Sequence, residues 1–203
     1  MSRARLILAT ANEHKVREIR ELLAGMDIAV AHLDELDDPP ELTETGATFA
    51  DNAREKALAV ACATGEPALA DDSGLVVDAL GGEPGVRSAR YAGEGATGAE
   101  LCAKLLREMA DLPDDRRSAR FVCALSLCAP AGEVGRWEGR VEGVITRESR
   151  GEGGFGYDPV FHYPPDGLTF AQMSPERKNA VSHRGRALQA FRADLPAILA
   201  RTR

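Results

Sequence analysis

Apolar residues recur along this chain with two periods. Residues 5–9 (Arg-Leu-Ile-Leu-Ala) form a short apolar run expected to be a buried strand, and residues 13–23 place Val16, Ile19, Leu22 and Leu23 at helical spacing. Thr10 with Glu13 three positions on matches a capping box, so that helix is expected to open directly after the strand. Residues 27–31 read as a second strand, followed by an acidic, proline-containing loop over residues 34–44. Thr48-Phe49-Ala50-Asp51 repeats the cap pattern and opens a helix to about residue 64, where Gly65 and Pro67 stop it. On that helix Phe49, Asn52, Ala53, Lys56 and Val60 share one face, so Asn52 and Lys56 point where apolar groups belong.

The second half alternates in the same way. A helix is expected over residues 98–109, with Leu101, Leu105 and Met109 on one side, and Pro113 with Arg116-Arg117 reads as a surface turn. Residues 119–129 and 134–146 read as two long strands of an antiparallel hairpin. Ser174-Pro175 is an N-cap and N1 pair launching a short helix, which Ser182-His183-Arg184-Gly185 interrupts. Ala187, Leu188, Phe191, Leu195 and Leu199 then mark a C-terminal helix, with a kink expected at Pro196.

At 203 residues the chain is expected to form one domain with two lobes, since domains run ~100–200 residues. Its apolar and charged fractions, 44% and 28%, are those of ordinary globular proteins. No run approaches the ~18 uninterrupted apolar residues of a membrane span, and the first residues lack a signal-peptide pattern, so a cytoplasmic location is expected. Cys62, Cys102, Cys123 and Cys128 form no C-x-x-C pair and read as buried, reduced thiols. A net charge of -7 argues against broad nucleic-acid binding but allows a small anion in a locally basic site.

Candidate chemistry centres on Ala70-Asp71-Asp72-Ser73-Gly74, a carboxylate pair inside an apolar run. Such a pair can hold a hard cation and keep an oxygen for proton transfer; the same string is also good turn material. The strand-to-helix junction at Thr10-Ala11-Asn12, with Lys15 in the first turn, offers an anion site or only an ordinary cap. Lys56 faces inward to a ligand or snorkels out. The glycine-rich stretch over residues 151–159 presents Phe155 for stacking on a base or for core packing. Lys178, His183 and Arg184 form a basic cluster, or a solvated basic face. Taken together these features describe a nucleoside polyphosphate site.

The strings Thr10-Ala11-Asn12-Glu13-His14-Lys15, Glu44-Thr45-Gly46, Asn52-Ala53-Arg54-Glu55-Lys56, Ala70-Asp71-Asp72-Ser73-Gly74-Leu75, Phe155-Gly156-Tyr157-Asp158-Pro159 and Ser182-His183-Arg184-Gly185 resemble the inosine triphosphate pyrophosphatase family in order and spacing, from residue 5 to about 195. The resemblance implies an α/β fold: a long, bent mixed sheet with flanking helices, two lobes around a deep cleft, and a homodimer. It implies Mg2+-assisted hydrolysis of ITP, dITP and XTP to the monophosphate and pyrophosphate, which clears non-standard purines from the nucleotide pool.

Carried over by position, Asp72 resembles the general base and, with Glu44, the metal-holding pair; Asp71 is its neighbour, expected to support the metal site through water. Thr10, Ala11, Asn12, Glu13, His14, Lys15, Lys56 and Ser73 match substrate contacts, mainly to phosphate. Phe155 matches the residue stacking on the purine, and Gly156, Tyr157, Asp158, Lys178, His183 and Arg184 match those lining base and sugar. A donor from His183 or Arg184 would suit a 6-oxo group and oppose adenine's amino group. Rejecting GTP must then depend on its 2-amino group. Ala11 and Arg87 depart from residues common in the family, without removing a catalytic group. A Maf-like nucleotide pyrophosphatase and a silent nucleotide-binding protein of the same fold are the alternative readings.

Overall fold

The computed structural model describes residues 4–201, with side chains described from 5 to 198. Leu199, expected on the last helix's apolar stripe, has its side chain outside the described residues. The elements run β1 (Ala4–Leu8), α1 (Glu13–Leu23), β2 (Ile28–His32), α2 (Phe49–Thr64), β3 (Ala68–Val77), α3 (Gly98–Glu108), β4 (Ser118–Ala129), β5 (Gly132–Ile145), β6 (Phe161–Tyr163), β7 (Leu168–Thr169), α4 (Pro175–Val181) and α5 (His183–Arg201). They build a seven-stranded mixed sheet in the order β2-β1-β3-β4-β5-β6-β7. β1 pairs in parallel with β2 (Leu6 opposite Val30) and with β3 (Ile7 opposite Ala68). β6 runs antiparallel to β5 and to β7. β4 and β5 are sheet neighbours joined by Pro130 and Ala131 alone, a link that permits only antiparallel pairing.

The chain groups into two compact units, one of residues up to 72, 123–139 and from 184 onward, the other of residues 73–122 and 140–183. In the first unit, strand alternation sorts side chains to two sheet faces. Leu6, Leu8, Leu69, Cys123 and Leu125 pack with Val16, Ile19 and Leu23 of α1 and with Leu188 and Phe191 of α5. Ile7, Ala9, Ala68, Ala70 and Ala124 pack instead with Ala53, Ala57, Val60 and Ala61 of α2, small residues on both sides. The second unit has its own core, where Leu75, Val77, Phe121, Val141, Ile145 and Phe161 meet Leu101 and Leu105 of α3.

Several local expectations change. Asp71, Asp72, Ser73 and Gly74 form no turn: they lie in the middle of the ten-residue strand β3. The α1 cap is Asn12 rather than Thr10; its side chain accepts from the backbone N–H of His14 and Lys15. The cap of α2 stands as expected, with Thr48 accepting from the Asp51 N–H and Gly65 ending the helix at φ 73°. Arg117, expected at a surface turn, is buried and donates to the carbonyls of Met109, Ile145 and Thr146, which replaces its lost hydration. Cys62 is exposed, whereas Cys102, Cys123 and Cys128 are buried thiols. No helix among the described residues is long and apolar enough to cross a membrane.

Candidate active site

Placing Asp71 and Asp72 in a strand sends their side chains to opposite faces of the sheet. Asp71 follows Leu69 toward α1 and α5, and Asp72 follows Ala68 and Ala70 toward α2. Adjacent carboxylates thereby acquire separate partners.

Asp71 is fully buried, with Lys15 Nζ at 2.7 Å and Arg184 Nε at 2.8 Å. The Cys123 thiol donates to it at 3.2 Å, and Arg184 Nη1 also donates to Glu18. Burial alone would raise the Asp71 pKa, but the Arg184 and Lys15 charges overcome it and hold the carboxyl well below its ordinary value. Burial likewise works against the Arg184 cation, and Asp71 with Glu18 more than restores it.

On the other face, Lys56 Nζ lies 3.0 Å from Asp72 Oδ1 and 2.7 Å from Glu44 Oε1, and donates to the Asp71 carbonyl at 3.2 Å. The amide of Asn52 donates to Asp72 Oδ2 at 3.1 Å. The inward polar pair read from the helix face is thus fully engaged. Burial raises the Asp72 pKa, Lys56 and Lys15 lower it, Glu44 raises it again, and the net shift is upward. For Lys56, burial is outweighed by the two carboxylates, so the ammonium is held charged.

At the start of α1, Thr10 is buried while Ala11, Asn12, Glu13 and His14 are exposed. Thr10 Oγ1 accepts from the Asn12 N–H, the imidazole of His32 sits 2.8 Å from the Thr10 carbonyl, and the His14 ring contacts Arg17. This junction is a fixed turn whose outer residues face solvent.

In the second unit, Asp158 Oδ2 accepts from Lys178 Nζ at 2.7 Å and from the Phe155 N–H at 2.8 Å. Lys178 Nζ also stands 4.5 Å from the centroid of the half-buried Phe155 ring, a cation–π contact. Gly154 adopts φ 70° so close to Asp158 that a Cβ would overlap its carboxylate. His183 stacks on Phe121 with ring centroids 4.7 Å apart. Tyr157 is a core residue, its hydroxyl donating to the Ser88 carbonyl, while Gly156 supplies a positive-φ turn. Ser73 is half-buried on β3.

The structure therefore brings Lys15, Glu44, Lys56, Asp71, Asp72 and Arg184 into one polar network, and Phe155, Asp158 and Lys178 into another. Glu18 and Cys123 were not singled out from the sequence as partners of this network. Glu18 had a signal, since it lies three residues after Lys15 on the same face of α1. Glu44 and Asp72 converge on one ammonium, and two hard carboxylates suit a cation that takes its other ligands from phosphate and water. Among the described residues no cluster of three or more acidic, His or Cys side chains adds to that pair.

Known proteins resemble this chain over nearly its whole length. The chain is 50% identical over 191 residues to the dITP/XTP pyrophosphatase of Geobacter sulfurreducens, covering 94% of this chain and 96% of that one. It is 52% identical over 185 residues to the dITP/XTP pyrophosphatase of Desulforamulus reducens, covering 91% and 92%. A HAM1 protein structure from Coxiella burnetii superposes with a TM-score of 0.88 at 43% identity, covering 96% of this chain and 99% of that one. The dITP/XTP pyrophosphatase structure from Mycobacterium abscessus gives 0.74 at 43% identity, covering 92% and 97%. The Ham1 family model matches residues 6–194, and the chain belongs to that family.

Proposed function

We propose that the chain hydrolyses ITP, dITP and XTP to the nucleoside monophosphate and pyrophosphate. The observation that carries this reading is the arrangement on β3 and α2: a buried Asp72 held by the Asn52 amide and by the Lys56 ammonium, which also reaches Glu44. The relatives at 50% and 52% identity are dITP/XTP pyrophosphatases, which supports dITP and XTP as substrates.

Asp72 takes the proton of the attacking water, a task open to a carboxylate that the Lys56 and Asn52 donors hold in one orientation. The new bond forms at the α-phosphorus, the bond from that phosphorus to its bridging oxygen breaks, and pyrophosphate leaves. Lys15 and Lys56 supply positive charge for the phosphates, an electrostatic contribution made by groups already held in place. Glu44 and Asp72 are the residues that would hold Mg2+, which when bound would polarise the phosphate and neutralise developing charge.

Phe155 offers its ring to the purine, and Asp158 with Lys178 fixes the backbone and face of that ring. His183 and Arg184 are the donors for the 6-oxo group; Arg184 also braces Asp71, so its removal costs the fold as well as selectivity. The chain works as one catalytic domain, as a cytoplasmic homodimer with neither nucleic acid nor membrane as partner.

A panel of ITP, dITP, XTP, GTP, ATP and a pyrimidine triphosphate, assayed separately for pyrophosphate and orthophosphate, tests the reading. Pyrophosphate from the first three is expected. Preference for pyrimidines would favour the Maf-like alternative, and no turnover at all would favour the silent binder.

A further inference from the structure

Resting on that metal-assisted reading, one buried side chain acquires a task of its own. Asn52 is 0% exposed, and both ends of its amide are used. Its Oδ1 accepts from the backbone N–H of Gly46 at 2.8 Å, and its Nδ2 donates to Asp72 Oδ2 at 3.1 Å. The amide has only one orientation that satisfies both neighbours, because the Gly46 N–H can only donate and an ionised carboxylate can only accept.

The neighbouring turn of α2 repeats the pattern. Glu55 accepts from the Thr45 N–H at 2.9 Å and from its hydroxyl at 2.5 Å, and Lys56 reaches Glu44. Residues 44, 45 and 46 are thus each held by a side chain of one helix. Gly46 lies so close to it that a Cβ would stand 2.6 Å from Asp51 Cβ and 2.8 Å from Asn52 Oδ1.

We propose that Asn52 is a positioning residue for the hydrolysis: its amide ties the Asp72 carboxylate to the backbone of the Glu44-Thr45-Gly46 loop and so fixes the two carboxylates as a pair for one divalent cation. With Lys56 on Oδ1 and Asn52 on Oδ2, the Asp72 carboxylate cannot rotate without losing a donor. The neutrality of the amide matters. A second ammonium at this place would make Asp72 a weaker base, and a carboxylate would repel it.

The test compares wild type with Asn52→Ala, which removes both hydrogen bonds without adding a charge, and with Asn52→Ser, which shortens both reaches. Mn2+ binding to the nucleotide-free protein is read by electron paramagnetic resonance, alongside kcat and KM for XTP and a thermal melt. Loss of a group that orients a metal ligand costs about 10–100-fold in affinity or activity. The expected result is a Mn2+ Kd raised by that factor and a kcat lowered comparably, with KM for XTP within about threefold of wild type.

A folded variant whose Mn2+ Kd matches wild type overturns the proposal, whether or not kcat falls, as does a wild-type protein that binds no Mn2+. Should Asn52→Ala fail to fold, Asn52→Ser carries the same decision. If wild type binds Mn2+ but releases no pyrophosphate from XTP, the hydrolase reading fails, while the Mn2+ comparison still decides the role of Asn52.

Discussion

Asp71→Asn removes one negative charge from a place where two cations converge. In the native protein Lys15 and Arg184 both pair with this fully buried carboxylate, and Arg184 is itself 1% exposed. Removing one member of a buried ion pair costs about 3–5 kcal/mol, because the remaining charge stays desolvated. Here Arg184 keeps Glu18, and the Lys15 side chain is 13% exposed and can recruit water, so the loss belongs at the lower end, about 3 kcal/mol. For a chain of this size each kcal/mol moves the melting temperature by about 2–4 °C, which gives a fall of about 6–12 °C. Differential scanning calorimetry at neutral pH measures it. Raising sodium chloride to about 0.5 M should leave the gap between the two proteins largely intact, since buried pairs are poorly screened. In a cycle with Arg184→Met, the double variant should lose at least about 1 kcal/mol less than the sum of the single ones. A melting temperature within about 2 °C of wild type, or an additive cycle, would refute the claim that Asp71 anchors this network.

Asp72→Asn should lower kcat for XTP by about 10²–10⁴-fold, the usual range for a general base, with little change in KM; activity near wild type removes Asp72 from that task. His183→Ala should reduce the ITP-over-ATP ratio of kcat/KM by about five- to tenfold, the worth of one hydrogen bond, and an unchanged ratio would show that the base is read elsewhere. For the thiols, burial and then the charge of Asp158 push Cys102 up to about 11, so its reactive thiolate is scarce until alkaline pH. Iodoacetamide at pH 8 should therefore label the exposed Cys62 first, and equal labelling by mass spectrometry would contradict the burial of Cys102.

How much the sequence discloses depends on how local each cause is. The strand of residues 5–9 and the face Asn52, Ala53, Lys56 and Val60 were legible because a single period sets them, and the structure buries all four of those helix residues. The Thr48 cap was legible because its acceptor and donor lie three residues apart. Asp71 and Asp72 were ambiguous for the opposite reason. Their local chemistry favours a turn, and only partners from distant segments, Lys15, Lys56 and Arg184, make a strand tolerable there. Arg117 follows the same rule, since the carbonyls that hold it come from residues 109, 145 and 146. Asn12 shows a smaller failure: two eligible caps stand two positions apart, and local pattern alone did not choose between them. The candidate site was visible as residue types in order, and the resemblance already set Asp72 apart from Asp71, whereas the pairing of Asp71 with Lys15 and Arg184 on the other sheet face needed the pleat of β3.

The central claim is that water attacks the α-phosphorus, and the position of an isotopic label tests it most directly. A single turnover of XTP with excess enzyme and Mg2+ in oxygen-18 water should place one heavy oxygen on the nucleoside monophosphate and leave the pyrophosphate unlabelled. Label in pyrophosphate or orthophosphate would mean attack at another phosphorus, and would contradict the account.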